Sequence, residues 1–183
     1  MITAEATALT RRQPLSISTS EGTFETSAVI IAAGSKYRRL EVPGEERLSG
    51  HGVSYCATCD GFFFRGKEVA VIGGSDTALS DALELSRHVN RVHVVHRRDQ
   101  LRAGKALQQT AFGQPKVEFI WNAVVDRVLG EEMVTGVRLR DTKTGKLTTL
   151  DVAGVFVAIG ITPNSQWLSG TLSIDDAGYV VTD

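Results

Sequence analysis

The sequence predicts an α/β fold: a central parallel sheet, an antiparallel β hairpin beside it, and shorter pieces of a second domain on both flanks. Three observations carry this expectation. A buried-strand run from Glu68 to Ile72 breaks at a glycine turn into a helical pattern from about Asp76 to His88, and a second strand, RVHVVH, follows at once; this β-turn-α-β order is Rossmann-like. Further on, MVTGVRLRD and KLTTLDV flank the turn Thr144-Gly145, as a hairpin requires. Finally, SKYRRLEVPGEERLSGHG is polar, carries Pro43-Gly44 and two later glycines, and reads as a linker between units.

The remaining elements follow in chain order. LSISTSEGTFETSAVIIAAG alternates and then turns apolar from Ala28 to Ala33, which predicts a hairpin-like β piece feeding one buried strand that ends at Gly34. LRAGKALQQTAF is helical in pattern, VEFIW and AVVDRVL read as strands, and GVFVAIG reads as a final buried strand with Pro163-Asn164 in the loop after it.

Bulk composition excludes several function classes. The chain has 183 residues, 42% of them hydrophobic, which is enough for a globular core. No run approaches the roughly 18 apolar residues of a membrane span. A net charge of -1 offers nothing to nucleic acid or to an anionic membrane surface. MITAEATALTRRQPL lacks the apolar core of a signal peptide, so a cytoplasmic setting is expected. There the only two cysteines, Cys56 and Cys59, read as redox or metal chemistry rather than as a staple.

The glycine turn runs Gly73, Gly74, Ser75, Asp76, Thr77, Ala78. A dinucleotide turn needs a glycine for the bend, a small residue so that backbone can approach the pyrophosphate, and a third small residue for helix–strand packing. Those positions hold Gly73, Ser75 and Ala78, and the helix N–H groups beyond them suit phosphate. With its middle glycine absent, the turn alone also fits a plain strand–helix connection. The end of the second strand adds more. An NAD site places an acid there for the ribose 2′-hydroxyl, whereas this chain has His96, Arg97, Arg98 and then Arg102. Forked guanidiniums match a 2′-phosphate, so the cluster points to NADP; a solvated basic face is the bland alternative.

A zinc reading of C-x-x-C needs two further ligands, and His93 and His96 lie on opposite faces of a strand. No metal site is therefore expected. Two thiols with two residues between them can close a disulfide within one helical turn, and the pairing tends to favour the thiolate. Asp60, next to Cys59, can serve as the acid that protonates a leaving thiolate, or simply as a turn residue beside Gly61. Nicotinamide delivers a hydride while dithiol exchange runs through mixed disulfides, so a converter such as a flavin is implied.

Taken in order, CATCDGFFFRGK, VAVIGGSDTA, VHVVHRRDQLRA, VTGVRLRD and LDVAGVFVAIGITPN resemble bacterial low-molecular-weight thioredoxin reductase over nearly the whole chain. The resemblance implies a homodimeric flavoprotein that passes electrons from NADPH through FAD to the Cys56–Cys59 pair and on to thioredoxin. It implies Cys59 as the sulfur nearer the flavin and Asp60 as the general acid. It puts His96, Arg97, Arg98 and Arg102 on the 2′-phosphate, with the 73–78 turn at the pyrophosphate. It further implies that residues 1–37 are a remnant of an FAD-binding domain, that 38–166 are the NADP-binding domain, and that 167–183 begin a returning FAD segment. Two departures stand out: Ser75 replaces a usual glycine, and Ser80 and Asp81 replace usual glutamates. Neither the G-x-G-x-x-G turn nor the later Gly-Asp segment of an FAD site occurs in these residues, so an NADP-binding module without turnover is one alternative expectation. A related flavin reductase serving a peroxiredoxin or another acceptor is the other.

Overall fold

A computed structural model of the chain describes residues 1–182. By its internal contacts the chain divides into two units: Met1–Tyr37 with the residues from Ile161 onward, and Arg38–Gly160.

In the first unit, β1 (Ala6–Thr10), β2 (Leu15–Thr19) and β3 (Gly22–Thr26) form an antiparallel meander. A short strand β4 (Ser35–Tyr37) pairs antiparallel with the last strand of the chain, β13 (Ile161–Pro163). Residues 161–163, assigned from sequence to the central domain, therefore cluster with this unit. The expected buried strand at Ala28 to Ala33 is not present. That run belongs to no described strand and leaves Ile30 95% exposed, while Asn164 holds its end through the carbonyls of Ala33 and Gly34. The physical reason is the missing neighbour: an apolar pattern makes a strand only where another strand completes its backbone hydrogen bonds.

The second unit holds β5 (Val53–Ser54), β6 (Glu68–Gly73), β7 (Arg91–Val95), β8 (Val117–Ile120) and β12 (Gly154–Ala158), all parallel, in the order β5-β12-β6-β7-β8. Helix α1 (Ala57–Asp60) runs into a 3-10 turn at Gly61–Phe64, and α2 (Asp76–Ser86) and α3 (Lys105–Phe112) complete the helical side. The opposite side is an antiparallel sheet of β9 (Ala123–Leu129), β10 (Gly136–Asp141) and β11 (Leu147–Leu150), of which β10 and β11 form the expected hairpin.

Both faces of the parallel sheet are covered, which is why its strands read as continuous apolar runs rather than alternating ones. Along β6, Val69 and Val71 face the helices while Ala70 and Ile72 face the antiparallel sheet. Helix α2 buries Ala78, Leu79, Ala82 and Leu85, the i, i+3, i+4 stripe of an amphipathic helix. Each fully buried leucine on that stripe contributes about 1.5–3 kcal/mol. Helix α2 ends at Ser86, two residues short of the sequence expectation, where the Arg87 N–H closes onto the carbonyls of Glu84 and Leu85. Helix α3 starts only at Lys105, after Gly104, whose extended backbone (ψ 144°) makes it the N-cap and whose N–H donates to the side chain of Asp76 (2.8 Å).

Candidate functional site

The strand-to-helix turn owes its shape to close packing. A Cβ on Gly73 would sit 2.4 Å from the carbonyl oxygen of Ala158 and 2.7 Å from the Cβ of Ala78, so Gly73 and the small residue Ala78 together let α2 approach the sheet. A Cβ on Gly74 would lie 2.3 Å from Nδ1 of His96. Ser75 is the N-cap residue but makes no capping hydrogen bond, so its hydroxyl is left over. The first helical hydrogen bond runs from the Leu79 N–H to the Ser75 carbonyl, which leaves the N–H groups of Asp76, Thr77 and Ala78 as the helix's unpaired donors.

The loop after β7 hangs on this turn. The N–H groups of Arg102 and Ala103 both donate to the Gly74 carbonyl, at 2.8 and 3.2 Å. His96 is buried, with Nδ1 3.1 Å from the Gly73 carbonyl and Nε2 2.9 Å from the Gln100 carbonyl. Its ring thus ties the turn to the arginine loop. Arg97, Arg98 and Arg102 are exposed, and none is ion-paired with a carboxylate among the described residues; the nearby Asp99 pairs with Lys143 instead.

These parts line a cleft of about 410 Å³. Gly73, Gly74 and Ser75 line it together with Arg97, Arg98 and Arg102. Arg38 and Arg39 line the same cleft, a contribution the sequence reading missed by treating their segment as linker. The Arg38 N–H donates to the Gly160 carbonyl (3.0 Å), and the two residues after Arg39 are held by a buried carboxylate: Glu45 accepts from the N–H groups of Leu40 (2.8 Å) and Glu41 (2.7 Å) and from the hydroxyl of Tyr55 (2.9 Å). Burial, and then the Glu45 carboxylate, push the Tyr55 phenol up to about 12, so it stays a donor.

The sulfurs of Cys56 and Cys59 are bonded, with their Cα atoms 5.3 Å apart. Cys56 is the N-cap of α1, and its sulfur accepts the Cys59 N–H at 3.2 Å. Cys59 is exposed and Cys56 half-buried. The half-buried Asp60 accepts a 2.6 Å hydrogen bond from the buried Ser54 hydroxyl at the end of β5. Asp60 and Ser54 line a second cleft of about 370 Å³, together with Phe63 and Met133. No residue lines both clefts.

Phe62 and Phe63, just past the disulfide, are 60% and 77% exposed, and the Arg65 guanidinium lies 4.8 Å over the Phe62 ring. The third phenylalanine, Phe64, is instead buried against Phe156. The signal for the exposed rings was present in the sequence as FFF next to C-x-x-C, but which of the three faced outward depended on the 3-10 turn.

Among the described residues no helix is long and apolar enough to cross a membrane. Residues 2–183 match the family model described as pyridine nucleotide-disulphide oxidoreductase. The chain is 50% identical over 156 residues to a thioredoxin reductase of Streptomyces coelicolor, covering 85% of this chain and 48% of that protein. It is 49% identical over 181 residues to a bifunctional thioredoxin reductase/thioredoxin of Mycobacterium leprae, covering 98% of this chain and 40% of that one. The crystal structure of a thioredoxin reductase from Streptococcus pyogenes superimposes with a TM-score of 0.88 at 41% identity, over 100% of this chain and 60% of the other. The chain spans about half the length of the curated relatives it matches. With the glycine turn, the parallel sheet and the adjacent disulfide all in place, the chain belongs to the pyridine nucleotide-disulphide oxidoreductase family, with bacterial thioredoxin reductases among its relatives.

Proposed function

We propose that this chain is the nucleotide-binding and dithiol-bearing portion of an NADPH-dependent thioredoxin-disulfide reductase. The observation that carries the reading is one tied assembly: exposed, acid-free Arg97, Arg98 and Arg102 in the same cleft as a glycine turn, on a unit that also bears the Cys56–Cys59 disulfide.

The residues of the first cleft fit NADP. The unpaired N–H groups of Asp76, Thr77 and Ala78, with the Ser75 hydroxyl, suit a pyrophosphate, and Gly73 and Gly74 keep side chains out of its way. Arg97, Arg98 and Arg102 suit a 2′-phosphate, and Arg38 lines the same cleft. His96 serves by holding the loop, since both of its ring nitrogens already face carbonyl oxygens. NADPH, when bound, supplies a hydride. FAD is implied by the family as converter, but among the described residues the meander and the β4–β13 pair of the first unit form no strand–glycine turn–helix to hold it. No step is therefore assigned to it in this chain.

The chain's own residues carry the thiol chemistry. In the reduced pair, the Cys56 thiolate, favoured by the Cys59 N–H, attacks an acceptor disulfide. A mixed disulfide forms, the acceptor's S–S bond breaks, and Asp60 relays to the departing thiolate a solvent proton that replaces the one Cys56 gave up on ionising. Cys59 then loses its proton and attacks Cys56, restoring the disulfide and releasing the acceptor's second thiol. The acceptor gains two electrons and two protons. The exposed Phe62 and Phe63 rings offer an apolar seat for a protein acceptor, and the names of the relatives make thioredoxin the acceptor of choice. The family also suggests a homodimer and a cytoplasmic setting.

The test is a single turnover without nucleotide. The chain, reduced and freed of reductant, is mixed with oxidised bacterial thioredoxin, quenched with acid, alkylated and weighed by mass spectrometry. Transfer of two thiols per chain is expected, and Cys59→Ser should stop at a mixed disulfide. No transfer from the wild-type chain overturns the reading.

A further inference from the structure

We infer that Ser54 is a positioning residue for the thiol exchange: its buried hydroxyl sets the Asp60 carboxyl in place to protonate the departing thiolate. The inference rests on the proposed role of Asp60 and adds a residue to it.

Ser54 ends β5, the edge strand of the parallel sheet, and is only 6% exposed. Its oxygen accepts the Cys56 N–H at 3.1 Å, which fixes the direction of its O–H. The single hydroxyl hydrogen has two acceptors within reach: Oδ2 of Asp60 at 2.6 Å and the Cys56 carbonyl at 3.3 Å. The shorter, charge-assisted bond to the carboxylate takes it. One oxygen of Asp60 is thereby anchored to the sheet edge, and the backbone of Cys56 is anchored to the same hydroxyl. Oδ1 makes no hydrogen bond among the described residues, and the residue lines the cleft that Phe63 borders. The acid and the attacking sulfur's backbone therefore share one hinge pin. Without it, Asp60 is free to turn among rotamers, and a proton donor works only within hydrogen-bond reach of its target.

The bland reading is that Ser54 merely closes the turn before α1. The two differ in which disulfides they affect. A departing alkyl thiolate needs a proton, whereas a departing aryl thiolate is stable without one. The reduced 183-residue chain is therefore assayed in single turnover against oxidised thioredoxin, hydroxyethyl disulfide and Ellman's reagent. The variants are Ser54→Ala, Ser54→Thr, Asp60→Asn and the Ser54→Ala/Asp60→Asn double. With the two alkyl disulfides, Asp60→Asn should slow exchange roughly 100-fold and Ser54→Ala roughly 10-fold. The double variant should be no slower than Asp60→Asn alone, and Ser54→Thr, which keeps the hydroxyl at a strand position, should recover most of the rate. Ellman's reagent should react at the wild-type rate throughout.

If Ser54→Ala slows all three disulfides alike, or adds its full loss to Asp60→Asn, its role is structural and the proposal is overturned. A wild-type rate for Ser54→Ala beside a slow Asp60→Asn overturns the Ser54 assignment alone. A wild-type rate for Asp60→Asn sinks the acid and its positioning together. If thioredoxin is inert but hydroxyethyl disulfide shows the expected pattern, the acceptor assignment fails while the Ser54 inference stands.

Discussion

Replacing Gly74 with alanine forces a methyl group into the ring of His96. The new carbon would sit 2.3 Å from Nδ1 and 2.4 Å from Cε1 of that ring, far inside van der Waals contact. The ring cannot simply turn away: it is buried, and its two nitrogens face the carbonyls of Gly73 and Gln100. Overpacking of this kind costs about 1–3 kcal/mol, and displacing the ring forfeits up to two hydrogen bonds of about 1 kcal/mol each. Gly74→Ala should therefore lose about 2–4 kcal/mol in urea unfolding. Because the same ring holds the arginine loop to the turn, NADPH affinity should fall roughly tenfold or more, by the same loss of preorganisation. The Gly74→Ala/His96→Ala double variant removes the clash and should be more stable than Gly74→Ala alone. A loss below about 0.5 kcal/mol with unchanged NADPH affinity would refute the claim that His96 is the tie between turn and loop.

Three further outcomes follow from particular residues. Burial pushes the Asp81 carboxyl from its ordinary 3.8 up to about 6. The folded chain then holds an extra proton between about pH 4 and 6, so this group makes stability fall as pH rises through that window, with the full penalty present at neutral pH. Each displaced pH unit is about 1.4 kcal/mol, and partial solvent access reduces it, so Asp81→Asn should gain ~1–2 kcal/mol at pH 7 and nothing below pH 4; a gain independent of pH contradicts the assignment. Cys59→Ser should abolish the disulfide while leaving the NADPH titration unchanged, because neither cysteine lines the cleft at the glycine turn; a tenfold change in affinity would show the two sites to be coupled. Phe62→Ala with Phe63→Ala should leave urea stability within about 0.5 kcal/mol, since both rings are exposed. Thioredoxin exchange should slow severalfold while hydroxyethyl disulfide exchange holds; equal rates with thioredoxin would remove the rings from the docking surface.

The parts of this molecule that were readable in advance are those set by local pattern. The switch from a continuous apolar run at Glu68 to Ile72 to a helical stripe at Ala78, Leu79, Ala82 and Leu85 marks a strand, a turn and a helix, because burial on two faces and burial on one leave different periods. The arginines at 97, 98 and 102 stand out by their offset after the second strand, and the structure brings them to the cleft of the glycine turn. What was not legible depends on the third dimension. Arg38 and Arg39 line the cleft from a segment tied to distant residues, Arg38 to the Gly160 carbonyl and the following Leu40 and Glu41 to the Glu45 carboxylate, which no short window shows. His96 lines the cleft, and that its ring also ties to the Gly73 and Gln100 carbonyls does not show in its place after the second strand. Ser54 is one serine among many until β5 carries it beside Asp60. The run at Ala28 to Ala33 has the composition of a strand without the partner that makes one.

The central claim is that the cleft at the glycine turn is built for a 2′-phosphorylated dinucleotide, and calorimetric titration of the chain with NADPH and with NADH tests it most directly. Two charge-assisted contacts of about 1.5–3 kcal/mol each predict NADPH binding at least roughly 100-fold tighter at low salt. The preference should shrink as salt screens the exposed guanidiniums and should largely vanish in Arg97→Ala/Arg98→Ala. Equal affinity for the two nucleotides, or a preference for NADH, would contradict the account.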